Sequence, residues 1–338
     1  MTQFCLGIES TAHTFGASIV DFEGNVLSNV RDLFTTEEGG LIPVKVADHH
    51  VSVCDTIIKK ALDVAGIKIT DVSLIAFSQS PGIGHTLRVG AASAKSLSLI
   101  HNIPLIGVNH CIAHLEIGRL KAKNPNDSSM VCDDPILLYA SGANTQIIGY
   151  EGKKYRIFGE TLDMGVGNFI DSFARKLKLG FPGGPKIELL AREGDSFIEL
   201  PYSVKGMDLS FGGLLTKLER MIDSKQFSVN NLCFSAQEVI FSMLLEVSER
   251  ALAHTGKTQL VLGGGVACNK RLQEMAISMC EDRGASCFIL PNEFNVDNAA
   301  MIAWTGILQF GSGQQISVEE ARINPYERTD EVDISWRD

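Results

Sequence analysis

The sequence has no long apolar run, no basic N-terminal stretch and no paired cysteines, and each absence excludes a class of protein. No segment approaches the roughly 18–20 apolar residues that a membrane-spanning helix requires. Residues 1–9 (MTQFCLGIE) carry no basic side chain and begin a strand-like pattern, so a signal peptide is not expected. The 8 cysteines are scattered without a C-x-x-C pair, which is typical of free thiols in a reducing compartment. We therefore expect a cytoplasmic protein with no membrane partner.

Positive charge is also scarce. The net charge of −10 argues against a broad nucleic-acid-binding face made by this chain alone. Candidate basic patches lie at residues 153–156, 175–178 and 270–271, and the favoured interpretation of each is a solvated helix or hairpin face. A function on nucleic acid would therefore require a local patch or a partner protein that supplies one.

The pattern of strands and helices runs through the same series twice. Each half predicts the order βββαβαβα, in which hairpin-joined strands precede alternating helices and strands. A polar, turn-rich stretch at residues 121–130 separates the halves. We predict an N-terminal domain at 1–122, a second domain at 131–324 with an insertion at about 180–231, and a polar tail or linker at 325–338.

Two such units in tandem are the layout of the actin, hexokinase and Hsp70-ATPase superfamily. The predicted fold class is therefore α/β, with a nucleotide cleft between the two domains. The alternative is a single Rossmann-like sheet with additions. It fits less well, because each half begins with an antiparallel hairpin instead of a βαβ unit.

In the predicted fold, several loops face the cleft. The first hairpin turns of the two halves, at residues 9–14 and 141–145, are rich in small and hydroxylic residues whose backbone N–H groups suit an anion. The glycines at 263–265 follow a strand and open a helix, but they match neither a dinucleotide nor a Walker motif. Asn269 near the start of that helix is equally well a ribose ligand or a helix cap. For Asp171 and Glu188, periodicity alone favours surface positions over ribose binding.

A pair of histidines is the most specific chemical feature of the sequence. His110 and His114 follow a short apolar strand, and their spacing of four puts both side chains on one helix face. Asp297 follows the corresponding strand of the second half. Because open α/β folds bind their ligands at the carboxyl ends of strands, we predict that these three side chains clamp one metal ion between the domains. Iron, zinc and similar ions all suit imidazole ligands, and the residues do not choose among them.

The chain resembles the universal TsaD/Gcp family, in its archaeal and eukaryotic KEOPS-subunit branch. The resemblance spans about residues 5–325 and rests on ten motifs in order. These are 7–16 (GIESTAHTFG), 43–50 (PVKVADHH), 80–84 (SPGIG), 109–114 (NHCIAH), 139–144 (YASGAN), 167–175 (GNFIDSFAR), 181–186 (FPGGPK), 205–210 (KGMDLS), 263–269 (GGGVACN) and 297–301 (DNAAM).

The resemblance implies a set of ligands for a metal and for an adenylate. The implied metal ligands are His110, His114, Tyr139 and Asp297, with iron as the implied ion and zinc or magnesium as alternatives. The implied adenylate-binding residues are Tyr139, Ala140, Ser141, Gly142, Ala143, Asp171, Gly184, Glu188 and Asn269.

The family's implied reaction moves a threonylcarbamoyl group from threonylcarbamoyl-AMP to the exocyclic amine of the adenosine 3′ of the anticodon, in tRNAs that read codons starting with A. AMP is released, and ATP or its analogues are further expected ligands. The implied partners are tRNA, a kinase-like ATPase that is fused C-terminally in some relatives, and small KEOPS subunits. No general base stands out, and His13 and a substrate carboxylate are the candidates.

Three residues depart from the family pattern. Ser10 stands where archaeal relatives often have Gly, Gly212 replaces a Ser, and Cys268 replaces an Ala. None of these changes removes an implied ligand. A cysteine in the glycine loop is expected to make that loop sensitive to oxidation.

Three other functions fit parts of the sequence. A metalloprotease would need a Glu after the first histidine, as in H-E-x-x-H, but Cys111 occupies that position. A sugar or acetate kinase of the same superfold would need a carboxylate base and a γ-phosphate site. A non-enzymatic ATP-binding scaffold is the third alternative.

Overall fold

The first half of the chain builds a five-stranded mixed sheet. The computed structural model describes residues 2–36 and 41–337. The strands are β1 (Phe4–Glu9), β2 (Thr14–Asp21), β3 (Val26–Leu33), β4 (Val72–Ser80) and β5 (Leu105–Asn109), and the helices are α1 (Pro43–Ala65), α2 (Gly84–His101) and α3 (His110–Lys121). In the order β3-β2-β1-β4-β5, the first three strands are antiparallel, whereas β4 and β5 continue the sheet in parallel.

The second half repeats this plan. Its strands are β6 (Ile136–Ala140), β7 (Thr145–Glu151), β8 (Lys154–Glu160), the short pair β9 (Val204–Lys205) and β10 (Asp208–Leu209), β11 (Gln259–Gly263) and β12 (Ser286–Ile289). Its helices are α4 (Val166–Lys176), α5 (Gly184–Ala191), α6 (Gly212–Ser224), α7 (Val229–Thr255), α8 (Lys270–Arg283), α9 (Asn292–Asn295) and α10 (Ala299–Gly311). The order β12-β11-β6-β7-β8 reproduces the first sheet strand for strand, which confirms the α/β tandem fold.

Helices cover both faces of the first sheet, so its inner strands are apolar almost throughout. Leu6 and Ile8 of β1 lie in the cluster that includes residues of α1 and α2, whereas Cys5 lies in the cluster that includes residues of α3 and α10. Within the described ranges, no helix is long and apolar enough to cross a membrane.

Helix α10 comes last in the second series but packs on the first sheet. A Cβ on Gly7 of β1 would lie 2.7 Å from the backbone nitrogen of Ala303 in α10. The side chains of Ala300 and Ile302 belong to the same core cluster as Val108 of β5. We expected residues 131–324 to form one domain, but α10 packs on the sheet of the first half. Chain order does not indicate which sheet a helix covers.

The C-terminal residues also differ from expectation. Residues 325–338 were expected to be a polar tail or linker, but the described part of this segment, to residue 337, lies against the protein. Val332, Ile334 and Trp336 alternate with exposed residues and pack on a core cluster that contains Tyr139. This short alternation is masked by the polar composition of the segment.

Candidate metal centre

The start of α3 fixes the two histidines. Asn109 caps this helix, because its side-chain oxygen accepts hydrogen bonds from the backbone nitrogens of Cys111 at 3.1 Å and Ile112 at 3.3 Å. His110 is therefore the first residue of the helix and His114 lies one turn later. Their ring centroids are 4.8 Å apart, as expected for a spacing of four on one face.

Four donor groups from both halves of the chain converge here. Nε2 of His110 lies 3.0 Å from the Tyr139 hydroxyl and 3.4 Å from Oδ1 of Asp297. Nε2 of His114 lies 3.5 Å from the same Asp297 oxygen. One ligand atom from each of the two histidines and the aspartate falls within 4.8 Å of the others.

The chemistry of this cluster fits a metal ion. His114 is fully buried, yet neither of its ring nitrogens has a hydrogen-bond partner within residues 2–36 and 41–337. Buried polar atoms normally have partners, and a ligated ion would supply one. Two imidazoles, a carboxylate and a phenol together suit iron or zinc better than magnesium, which prefers oxygen ligands.

The charges of the cluster also suit a cation. Burial alone would lower the pKa of His110, but Tyr139, Glu9 and Asp297 raise that pKa well above its usual value. Burial alone would raise the pKa of Asp297, but the hydrogen bond and charge of His110 hold it well below its usual range. Burial lowers the pKa of His114, which leaves a neutral imidazole with a lone pair to donate.

Glu9 lies beside Nδ1 of His110, whereas the other donor groups lie near Nε2. It was not among the predicted site residues. Its Oε2 lies 3.0 Å from Nδ1 of His110, and its Oε1 accepts a hydrogen bond of 2.6 Å from the backbone nitrogen of Thr11. A carboxylate on the far nitrogen of a metal-binding imidazole orients the ring and raises its basicity. The available signal was an acidic residue at the carboxyl end of an apolar strand, fully buried in the fold.

Residues 139–143 continue from the metal cluster into a loop. Tyr139 and Ala140 end β6, and Ser141, Gly142 and Ala143 form the turn to β7. The backbone nitrogens of Gly142 and Ala143 donate to no acceptor in the described part of the chain, and both residues are exposed. Free amides in such a turn suit an anion.

Three glycines let other backbone segments approach this loop. A Cβ on Gly167 would lie 2.7 Å from Cα of Gly142, and one on Gly264 would lie 2.6 Å from the carbonyl carbon of Ala140. A Cβ on Gly165 would be 2.6 Å from the carbonyl carbon of Ala143. Of the glycines at 263–265, Gly264 therefore serves close packing against the loop.

The remaining predicted adenylate residues form two groups. Asp171 accepts a hydrogen bond of 2.8 Å from the backbone nitrogen of Gly183, beside Gly184 at the start of α5. Burial raises the pKa of this aspartate. Glu188 accepts a hydrogen bond of 3.2 Å from the backbone nitrogen of Lys270, next to Asn269.

Asn269 is the N-cap residue of α8. Its side-chain oxygen accepts from the backbone nitrogens of Arg271 and Leu272, and its Nδ2 donates to Gln237 at 3.0 Å. Glu188, Gln237 and Lys270 line a cavity of about 370 Å³. A ribose that enters this cavity would meet the Glu188 carboxylate.

His13 lies where the two halves meet. Its ring contacts that of Phe181 edge-on, with centroids 5.7 Å apart. Its charge partly offsets the rise that burial causes in the pKa of Asp171, and it adds to the lowering of the pKa of Asp297 by His110. His13 is thus near both the metal cluster and the 180–184 loop.

The predicted sensitivity of Cys268 to oxidation does not fit the structure. Burial raises the pKa of this thiol to about 11. The reactive species toward oxidants is the thiolate, which is scarce at neutral pH when the pKa is this high.

Each of the three basic patches has one residue that forms an ion pair with a carboxylate. Lys176 pairs with Asp223 at 2.7 Å, Lys154 pairs with Asp333 at 3.8 Å, and Arg271 binds Glu238. The interpretation of these clusters as solvated faces therefore fits better than a continuous binding surface.

Comparisons with known proteins agree with the resemblance found in the motifs. The profile of the TsaD family, tRNA N6-adenosine threonylcarbamoyltransferase, matches residues 25–304. A tRNA N6-adenosine threonylcarbamoyltransferase from Thermococcus kodakarensis is 50% identical over 331 residues, which cover 98% of this chain and 99% of that protein. A relative from Methanocaldococcus jannaschii, named as a bifunctional tRNA threonylcarbamoyladenosine biosynthesis protein, is 48% identical over 98% of this chain and 60% of its own length.

Solved structures with low identity show the fold alone. HypF from T. kodakarensis has a TM-score of 0.62 at 12% identity, over 92% of this chain and 48% of that one. Component A of (R)-2-hydroxyglutaryl-CoA dehydratase from Acidaminococcus fermentans has a TM-score of 0.55 at 12% identity, over 91% and 99%. The family profile, the identity of the relatives and the motifs lead to one conclusion: this chain belongs to the TsaD family of tRNA N6-adenosine threonylcarbamoyltransferases.

Proposed function

We propose that the protein transfers a threonylcarbamoyl group from threonylcarbamoyl-AMP to the exocyclic amine of the adenosine 3′ of the anticodon, in tRNAs that read codons starting with A. The observation that carries the proposal is the continuity between Tyr139 in the metal cluster and the free amides of Gly142 and Ala143. A carbamoyl group held at the cluster and a phosphate held at the loop would lie next to each other, as they do in a carbamoyl-adenylate.

His110, His114, Tyr139 and Asp297 would hold one ion, iron by family resemblance and zinc as the alternative. When bound, the ion supplies a Lewis acid that orients and polarises the carbamoyl group. Glu9 holds the His110 ring in the orientation that points Nε2 into the site.

The backbone amides of Gly142 and Ala143 would bind the phosphate, and they would stabilise the charge that develops on it as AMP departs. In the reaction, the amine nitrogen bonds to the carbamoyl carbon, and the bond from that carbon to the phosphate oxygen breaks. The amine gives up one proton, for which His13 and the substrate carboxylate are the candidate acceptors. Because AMP is a good leaving group, no strong general acid is needed. Glu188 and Asp171 would bind the ribose, and ATP or an analogue would bind in the same place.

The proposed partners follow from the charge of the chain. We expect an acidic protein with a net charge of −10, in which each basic patch has a residue paired with a carboxylate, to hold tRNA weakly by itself. We propose that a kinase-like ATPase and small KEOPS subunits complete the tRNA surface in the cytoplasm. The relative named as bifunctional, of which this chain covers 60%, is in keeping with such a fused partner.

A reconstitution assay tests the proposal. The protein is incubated with partner subunits, tRNA, threonine, bicarbonate, ATP and the enzyme that forms the adenylate, and threonylcarbamoyladenosine is measured. His110→Ala is expected to abolish the product, whereas His85→Ala, an exposed histidine on α2, is expected to leave it unchanged. Full product formation by His110→Ala would show that the metal-centred mechanism is wrong.

The same assay separates the proposal from a protease. Cys111 occupies the position of the glutamate base in a zinc protease, and burial raises the pKa of its thiol to about 11. It is therefore neither a carboxylate base nor a thiolate nucleophile at neutral pH. Peptide cleavage without tRNA modification would overturn the proposed function.

A further inference from the structure

We propose that residues 324–337, here called the C-terminal brace, position the metal-bearing helix α3 by holding it at its N-cap and again near its middle. The inference rests on the metal centre proposed above. It assigns a role to a segment whose composition predicts only a polar tail or linker.

The first hold is on the N-cap of α3. Oε2 of Glu327 accepts a hydrogen bond of 3.2 Å from Nδ2 of Asn109, and it also accepts one from the hydroxyl of Ser80. The oxygen of the Asn109 amide accepts hydrogen bonds from the backbone nitrogens of Cys111 and Ile112 in α3. Both the nitrogen and the oxygen of this side-chain amide are therefore hydrogen-bonded. Glu327 thereby fixes the orientation of Asn109, which caps α3 and directly precedes His110.

The second hold lies beyond His114. Nε1 of Trp336 donates a hydrogen bond of 2.9 Å to Oε1 of Glu116, which is fully buried on α3. The Tyr155 hydroxyl donates to the same oxygen, and Arg119 donates to the other oxygen at 2.8 Å. A buried carboxylate is tolerated only when its oxygens are bonded in this way, so Trp336 is part of what keeps Glu116 and its turn of helix in place.

Between the two holds, the brace joins both halves of the protein. The backbone carbonyl of Pro325 accepts from Gly82, at the end of the first sheet, at 3.2 Å. Arg328 pairs with Glu160 of β8, in the second sheet, at 3.1 Å. The brace therefore crosses from one sheet to the other along the helix that carries the two imidazoles.

The apolar side chains of the brace pack on the core cluster that contains Tyr139, the third proposed ligand. Val332, Ile334 and Trp336 pack against the core cluster that contains Tyr139 and Leu115. Arg337 closes this contact, because its guanidinium lies 4.2 Å from the ring centroid of Tyr150 and bonds the Tyr155 hydroxyl at 3.2 Å. Ligands of a metal site must be held within roughly 0.5 Å, and residues that support them control affinity without touching the ion.

Single substitutions test the brace in the full chain. Glu327→Ala removes the hold on Asn109, and Trp336→Phe removes the N–H donor while keeping a ring to pack. Glu327→Gln is the rescue variant, because an amide oxygen can still accept from Asn109. Tyr326→Ala, at a side chain that is 91% exposed, is the matched control within the brace.

The readout is metal binding, not turnover. The dissociation constant for Zn²⁺ is measured by competition with a chromophoric chelator, and the absorption spectrum of bound Co²⁺ reports the ligand geometry. We expect Glu327→Ala and Trp336→Phe to weaken Zn²⁺ binding by about 10-fold, the lower end for outer-shell groups, and to change the Co²⁺ spectrum. Glu327→Gln and Tyr326→Ala should keep the wild-type dissociation constant.

Two results would overturn the brace. One is an unchanged dissociation constant for Zn²⁺ in Glu327→Ala and Trp336→Phe, whether or not the melting temperature falls. The segment would then pack against the protein without positioning the metal ligands. The other is an equal loss in Tyr326→Ala, whose side chain is exposed. His114→Ala tests the metal centre separately from the brace. If this variant binds Zn²⁺ as the wild type does, the proposed metal centre is wrong, and the role proposed for the brace is wrong with it.

Discussion

Gly7 of β1 and Ala303 of α10 are in such close contact that a Cβ on Gly7 would lie 2.7 Å from the Ala303 backbone nitrogen. This contact seats α10 on the first sheet, although the helix comes from the far end of the chain. Asp297 lies two residues before α10 begins, so the same contact brings its carboxylate to the two histidines.

Gly7→Ala is therefore expected to destabilise the protein and to displace Asp297. Overpacking of a core position costs about 1–3 kcal/mol, measured as the free energy of unfolding in denaturant. Gly213→Ala is the control, because a Cβ there meets no atom within 4 Å, and we expect a change within about 0.5 kcal/mol. An equally stable Gly7→Ala protein would show that α10 is not seated by this contact.

Sequence reasoning recovered the elements better than their packing. The two series of strands and helices could be predicted because strands such as β1, β4 and β5 are apolar runs that end in polar residues. Nothing in the sequence indicates that α10 covers the first sheet, since an apolar helix fits either one. In the insertion, α6 was not predicted as an element.

The site was recovered unevenly for related reasons. The convergence of His110, His114 and Asp297 followed from their shared position at strand ends, whereas Tyr139 entered only through the family resemblance. Glu9 was missed as a partner of His110, because a contact between side chains 101 positions apart depends on the pairing of β1, β4 and β5. The local sequence places Glu9 at the end of an apolar strand, but it does not indicate which side chain the carboxylate contacts.

Removal of His114 should abolish stabilisation by metal. Zn²⁺ that binds only the folded protein raises the free energy of unfolding, by about 2.7 kcal/mol at 100 times its dissociation constant. Thermal unfolding with and without Zn²⁺ is expected to show this increase in the wild type and in His85→Ala, but not in His114→Ala. A Zn²⁺ effect of the same size in His114→Ala would place the ion elsewhere.

Glu9→Gln should weaken metal binding without removing a ligand. The substitution keeps the size of the side chain but removes the negative charge that faces Nδ1 of His110. Loss of such an outer-shell carboxylate typically lowers metal affinity by about 10-fold. Equilibrium competition for Zn²⁺ measures the change, and Glu23→Gln, at an exposed acid, is the control. Equal affinities for the two variants would contradict the role given to Glu9.

Cys268 is expected to be almost inert to alkylation at neutral pH. With a pKa of about 11, only about 0.1% of this thiol is thiolate at pH 8, and the labelling rate should rise about tenfold for each pH unit up to that pKa. Iodoacetamide labelling followed by peptide mass spectrometry measures this rate in the folded protein. Labelling in guanidinium is the control, because the unfolded thiol returns to an ordinary pKa near 8.5 and should react quickly at pH 8. Rapid labelling of Cys268 in the folded protein at pH 7 would restore the view that this loop is sensitive to oxidation.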